Sequence, residues 1–240
     1  MVQQLRREGV EAREEDHRGA ANVSVRWYSN RDDRRELWAL RYRAYLDSGL
    51  IEPSRGKIYS DAYDDLASTV TAGLFKGGSC IATLRLNFWS AHSTGPSLPC
   101  EQVYPEIDDI KAAAPGTLVE LSRLAMDPAI KNTRYRARLY AALIRAAIAA
   151  CIATDAKLLL VGTQLKWRRF YEHVFGFKEA APPQLYPPGN VICALLSQTL
   201  GSAERRRLSR KAFFRMQADE IAGLRSTLGP MLSRRANNRQ

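Results

Sequence analysis

The chain has 240 residues, 45% of them hydrophobic and 25% charged, which suits one globular domain with terminal additions. No run of about 18 apolar residues is present, so no membrane-spanning helix is expected, and the charged start lacks the apolar core of a secretory signal. Four scattered cysteines with no CxxC pair and only three histidines argue against a zinc site or a disulfide framework, and point to reduced thiols in a cytoplasmic setting.

Residues 1–22 are charged and short of large apolar side chains, so they are expected to be a mobile leader. Val23–Tyr28 alternates as a strand does. Asn30 is placed to cap a helix from about Arg31 to Asp47, with Leu37, Leu40, Arg41 and Tyr45 near one face and Gly49 ending it. The polar, turn-rich stretch from Leu50 to Leu66 is the first candidate for a substrate-binding loop. Thr69–Phe75 and Cys80–Phe88 read as strands joined by a Gly77-Gly78 hairpin turn. After a loop holding Pro96, Pro99 and Pro105, the pattern predicts a strand over Leu118–Met126 and an alanine-rich helix over Tyr135–Thr154. Lys157–Val161 then reads as a buried strand, Gln164–Phe175 as a helix, Val191–Leu196 as a last strand, and Glu204–Leu224 as a basic amphipathic helix.

Hairpins in the first half and a βαβ crossover in the second imply an α/β fold with a mixed, mostly antiparallel central sheet flanked by helices, and an added C-terminal helix. Three segments are expected: a mobile leader over 1–22, the main domain over 23–200, and a basic helix and tail over 201–240. The net charge of +11 is uneven. Residues 203–240 hold ten Lys/Arg against three Asp/Glu. That tail reads as a solvated basic helix or as a surface for an anionic membrane or an acidic partner, with Phe213, Phe214, Met216 and Leu224 as its apolar side. No nucleic-acid motif accompanies the charge, so nucleic acid is not an expected partner.

Three local patterns carry a family resemblance. Arg169-Phe-Tyr-Glu-His-Val-Phe-Gly-Phe-Lys178 resembles the end of GNAT acyltransferases, where a helix stops at a glycine and a strand begins. The second pattern is Asp61-Ala-Tyr-Asp64 with Arg41 and Tyr45 upstream, and the third is Arg85 followed by Glu120-Leu-Ser-Arg123. Together these two resemble acyl-homoserine-lactone synthases in spacing and order. Those enzymes carry a tryptophan between the first arginine and the D-x-x-D pair, whereas LDSGLIEPSRGKIYS has none. The chain is more similar to a sister group, the long-chain N-acyl amino acid synthases, of which the N-acyltyrosine synthases are the known type. The resemblance covers roughly Val23 to Ser197. It implies a GNAT fold, an acyl carrier protein thioester as donor, a free amino acid as acceptor and no resident cofactor. A lactone synthase using S-adenosylmethionine, or a CoA-dependent N-acetyltransferase, are the alternatives within acyl transfer. A basic membrane- or partner-binding module is the alternative outside it.

Such a reaction needs an acceptor for the amine's proton, a cation for a carboxylate, and donors for the developing oxyanion. Glu120, flanked by apolar residues in a strand, is the candidate base; its other reading is a structural ion pair with Arg85 or Arg123. Glu120 and Arg123 lie three apart, so a regular strand would set them on opposite faces. If both line one site the strand must bulge, which frees backbone N–H groups. Arg41, Arg85 and Arg123, with Ser122 beside them, are candidates to bind substrate, and Asp61 and Asp64 to orient the arginines. The alternative is one ion-pair network holding the loop to the sheet. Two such carboxylates with no further oxygen cluster do not suggest metal. The resemblance makes Tyr171 the acid for the departing thiolate; otherwise it is a core aromatic. Arg134, Arg136 and Arg138 stand where acetyl-CoA enzymes have a glycine-rich pyrophosphate loop. They suit an acidic carrier protein or its phosphopantetheine, or are the basic first turns of an ordinary helix.

Overall fold

A computed structural model describes residues 23–202 and 216–233, apart from positions 31, 94, 115, 188 and 190. The expected leader over 1–22 and the stretches 203–215 and 234–240 lie outside the described residues. The first half holds β1 (Val23–Ser29), α1 (Arg35–Asp47), β2 (Thr69–Lys76), β3 (Ser79–Trp89) and α2 (Ile107–Ala113). The second holds β4 (Leu118–Met126), α3 (Thr133–Ala153), β5 (Leu158–Gln164), α4 (Leu165–Phe170), β6 (Lys178–Tyr186), β7 (Val191–Thr199) and α5 (Ala218–Ser233). Single 3-10 turns at Ala62–Asp64 and Pro99–Gln102 punctuate the loops.

The seven strands form one sheet in the order β1-β2-β3-β4-β5-β7-β6. Every neighbouring pair is antiparallel except β4 and β5, which are parallel and joined through α3. This is the mixed, mostly antiparallel sheet that the hairpins and the crossover imply. Gly77 and Gly78 take φ of 57° and 87°, the left-handed values that a two-residue hairpin turn requires.

Helices cover both faces. Leu139, Leu143, Ile144 and Ile148 of α3 pack against Val70, Leu84, Leu86 and Leu121 of the sheet. On other parts of the sheet, α1 sets Leu37 and Leu40 on Phe75 and Cys80, while Tyr104 and Ile107 meet Leu118, Leu160 and Leu195. β2 is therefore buried along nearly its whole length, its Thr69 and Thr71 included.

Several boundaries differ from the sequence reading. Helix α1 begins at Arg35, and Asn30 does not cap it. Its amide instead donates to the Asp65 carbonyl at 2.9 Å, while Asp33 Oδ1 accepts from the Arg35 N–H at 3.0 Å. The expected helix over Gln164–Phe175 is a strand end, the short α4, and a π turn over Tyr171–Phe175 closed by Gly176 at φ 80°. Helix α2 was not foreseen, and strand β6, whose start at Lys178 the resemblance implied, was absent from the chain-order reading. The C-terminal helix runs to Ser233, beyond the expected end at Leu224, and Glu204 to Arg215 lie outside the described residues.

Helix α5 lies along α3. Arg145 forms a two-pronged ion pair with Glu220, and Arg225 Nε donates to the Ala153 carbonyl at 3.0 Å. Leu228 is fully buried in the main core. Among the described residues no helix is long and apolar enough to cross a membrane. Leu228→Ala should destabilise the chain by about 2–5 kcal/mol in a urea titration. A loss of only a few tenths would mean that α5 is not part of the cooperative unit.

Candidate active site

The site arises where two strands part. β4 and β5 keep register from Leu118–Leu158 to Leu121–Val161 and no further, although β4 runs on to Met126 and β5 to Gln164. On its other edge, β4 pairs Ser122 with Arg85 and Ala125 with Thr83, so three steps of β4 span two of β3. This is the bulge that the spacing of Glu120 and Arg123 requires. Arg123 sits in it at φ 53°, a left-handed conformation uncommon for a side chain with a Cβ. Glu120, Ser122 and Arg123 consequently line one cavity of about 210 Å³, with Tyr45, Tyr171 and Tyr186.

Glu120 is fully buried. Its Oε2 accepts from the Cys100 N–H at 2.8 Å and its Oε1 from the Tyr186 hydroxyl at 3.0 Å. Neither bond comes from an arginine. Burial pushes the Glu120 carboxyl above its ordinary range, and the Cys100 and Tyr186 donors and the nearby Arg85 charge hold part of that rise back. The Cys100 thiol also hydrogen-bonds this carboxylate, and of its about four acceptor positions room remains for an incoming ammonium.

The arginines and aspartates form a second layer. Arg41 Nη1 meets Asp64 Oδ1 at 2.7 Å, with both side chains fully buried. Arg85 Nη1 bridges Asp61 Oδ1 at 2.5 Å and Asp64 Oδ2 at 3.1 Å, and its Nε donates to Ser122 Oγ at 3.1 Å. Arg123 closes the network on Asp61 Oδ2 through Nε at 2.8 Å and Nη2 at 2.7 Å, and reaches the Pro187 carbonyl at 3.3 Å. Arg41, Arg85, Asp61 and Asp64 line neither this cavity nor the one beside it; Ser122 and Arg123 line the first. The network ties the Leu50–Leu66 segment to the sheet, and the reciprocal bonds of Asp61 and Asp64 cap the Ala62–Asp64 turn between them.

The neighbouring cavity is larger and more apolar, about 440 Å³, between the end of α1, the end of β4 and the starts of α3 and α4. It shares Tyr45, Leu50, Leu124, Tyr140, Gln164 and Trp167 with the first. Tyr171 is buried in the π turn, and the Tyr140 hydroxyl donates to its oxygen. Burial pushes the Tyr171 phenol up to about 12. At the start of α3, Asn132 caps the helix by accepting from the Tyr135 N–H at 2.9 Å. Arg134 and Arg138 stand exposed there, while Arg136 lines the larger cavity and donates to the Asp127 and Ile130 carbonyls.

Sequence reasoning missed Tyr186, Cys100 and Tyr140. Tyr186 follows Pro182-Pro183, which argues against a strand there. Cys100 reaches Glu120 through its backbone N–H, which leaves no trace in residue type, and also through its thiol. Tyr140 lies in the alanine-rich helix, one position after the buried Leu139; its aromatic hydroxyl in an otherwise small-residue stretch was the available signal.

A mixed sheet whose parallel pair opens beside a buried carboxylate, with an apolar cavity adjoining, is a GNAT-like fold. The chain belongs to the family described as N-acyl amino acid synthase FeeM, whose model matches residues 36–198. It is accordingly an acyltransferase that acts on an amine. Solved structures share the fold. FeeM, an N-acyl amino acid synthase from uncultured soil microbes, is 18% identical, with 82% of this chain and 99% of that one covered and a TM-score of 0.63. The AHL synthase LasI is 19% identical, with 75% and 91% covered and a TM-score of 0.59. The CoA-dependent acyl-homoserine lactone synthase BjaI is 16% identical, with 85% and 99% covered and a TM-score of 0.57. Comparison with curated protein sequences gives no match.

The ion-pair network makes a prediction about acid stability. Burial works against the Asp61 charge, but Arg85 and Arg123 outweigh it and bring the carboxyl from 3.8 down to about 2. Arg41 and Arg85 likewise outweigh burial at Asp64 and lower it. A depressed carboxyl stabilises the fold fully above its unfolded value and loses that contribution as pH falls through the folded one. For Asp61 this amounts to about 2 kcal/mol, lost between roughly pH 4 and pH 2. Chemical denaturation across that range should show the loss, and Asp61→Asn should flatten it.

Proposed function

We propose that this chain forms long-chain N-acyl amino acids from an acyl carrier protein thioester and a free amino acid, by direct attack of the amine. The single observation that carries the reading is the buried Glu120 carboxylate, lining a cavity of mixed polarity that shares a wall with a larger, more apolar one. The amino acid's ammonium binds Glu120 and gives up a proton to it. A carboxylate with raised proton affinity is a better base at neutral pH than an exposed one. The freed amine attacks the thioester carbon at the parting of β4 and β5.

Arg123 and Leu124 have no register partner on β3 or β5, so the bulge is where backbone N–H groups are free to hold the oxyanion. As the tetrahedral intermediate collapses, the C–S bond breaks, Tyr171 gives its proton to the thiolate, and its phenolate then takes the second proton from the nitrogen, so that neutral amide and thiol leave. The Tyr140 hydroxyl, already directed at the Tyr171 oxygen, steadies the phenolate that forms. Ser122 and Arg123 meet the acceptor's carboxylate, and the larger cavity takes the acyl chain. The absence of glycine from Arg134 to Leu139 favours a carrier protein over CoA, because side chains crowd a pyrophosphate there while Arg134 and Arg138 attract an acidic surface. The chain then works in the cytoplasm, where such carriers are found, and the basic tail over 203–240 offers contact with the anionic inner membrane surface.

Mass spectrometry of lipid extracts from cells expressing the chain should show N-acyl amino acids that disappear with Glu120→Ala. A product persisting in that variant would remove Glu120 from its role, and lactone formation from S-adenosylmethionine would overturn the choice of acceptor. Tyr171→Phe should lower kcat about 10- to 100-fold with little change in the KM for donor, as expected for an acid that acts on the leaving group.

A further inference from the structure

The proposed chemistry leaves open what sets the direction and proton affinity of Glu120, and the strand absent from the chain-order reading supplies a candidate. Strand β6 is an edge strand interrupted by Pro182-Pro183. Its pairing with β7 slips between Ala181–Leu195 and Gln184–Cys193, so three steps of β6 span two of β7. Strict alternation would send Ala181 and Tyr186, five positions apart, to opposite faces. The slip brings both to one side, where Ala181 is buried and Tyr186 packs against the same apolar cluster, while Leu185 points to solvent at 62% exposure.

The ring of Tyr186 is held on two sides. Gly162 of β5 lies against it, and a Cβ built there would stand 3.4 Å from Tyr186 Cε2. Tyr104 lies 6.1 Å away between centroids, itself fixed by a 2.8 Å bond from its hydroxyl to the Cys193 carbonyl. So fixed, the Tyr186 hydroxyl donates to Glu120 Oε1, opposite the Cys100 N–H on Oε2. We infer that Tyr186 is a positioning residue: with the Cys100 backbone it clamps the Glu120 carboxylate toward the cavity and keeps enough of it ionised to accept a proton.

The inference rests on the reading of Glu120 as base. The groups acting on Glu120 are Cys100 and Tyr63 from the 3-10 turns, Tyr104 before α2, Arg85 of β3 and Tyr186 of β6. Burial opposes the charged carboxylate, while the Cys100 thiol and N–H, the Tyr186 hydroxyl and the Arg85 charge favour it. Burial and the Glu120 charge push the Tyr186 phenol well above its ordinary value, so it stays a donor wherever Glu120 titrates.

Tyr186→Phe keeps the ring and removes the donor. The test follows the carbonyl stretch of the protonated Glu120 carboxyl by infrared titration of the full chain, isolated by subtraction of the Glu120→Gln spectrum. In parallel, kcat/KM is measured against pH with hexadecanoyl-carrier protein and a mixture of the twenty amino acids. Loss of one charge-assisted bond should move the carboxyl's midpoint up by about one pH unit, and the acidic limb of the rate profile with it. Incorporation of 3-fluorotyrosine at 186, a stronger donor of the same shape, should move both the other way. An unmoved midpoint in a Tyr186→Phe protein that melts as the wild type does would overturn the inference. A moved midpoint with an unmoved rate profile would uphold the clamp and sink Glu120 as the base. Should Tyr186→Phe fail to fold, the fluorotyrosine protein decides alone: a lowered midpoint supports the clamp and an unchanged one overturns it.

Discussion

Everything at the site depends on how β4 behaves after Leu121. Up to that residue it is an ordinary central strand, paired on both sides. Beyond it, β5 drops away on one edge and an extra residue bulges the other. The bulge needs Arg123 in a left-handed conformation, which costs an L-residue on the order of 1–2 kcal/mol. That cost is offset by the two charge-assisted bonds of Arg123 to Asp61, each worth about 1.5–3 kcal/mol in a partly buried setting. Asp61 is in turn held by Arg85, and Arg85 by Asp64, which pairs with the buried Arg41 of α1. The charged cluster therefore acts as a chain of supports running from a helix through a loop to the irregular strand.

Two environments result, a few side chains apart. On one side of the shared wall, Glu120 sits in a low dielectric with two fixed donors and an unfilled capacity for more. On the other lies space lined largely by apolar and aromatic groups, suited to a hydrocarbon chain. Under the proposed function, the amine and the thioester meet where these regions join, at the opening between β4 and β5.

Most of the frame was legible in the residues. The strand over Leu118–Met126 appears with the expected bounds, and the bulge expected if Glu120 and Arg123 were to line one site is present in the backbone. What escaped was written in tertiary contact rather than in local pattern. Asn30 has the chemistry of a cap, but a carbonyl 35 residues away claims its amide. Strand β6 carries two prolines and slips register twice, so no alternation survives to be read. Tyr186 and the Cys100 N–H reach Glu120 from 66 and 20 residues away, and neither is a residue type that announces such a role. The cluster residues were legible as a set. Their division between a fully enclosed layer and the cavity wall was not, because spacing does not tell which guanidinium faces a cavity.

The central claim is that Glu120 removes a proton from the attacking amine inside this cavity. It is tested most directly by giving Glu120→Gln an acceptor that needs no base. Purified chain with hexadecanoyl-carrier protein would be assayed at mildly alkaline pH against an amino acid, which stays protonated there, and against its α-hydrazino analogue, which is largely unprotonated. The account predicts a loss of about 10²- to 10⁴-fold in kcat/KM with the amino acid and near wild-type turnover with the hydrazino acid. Equal losses with both acceptors would contradict it.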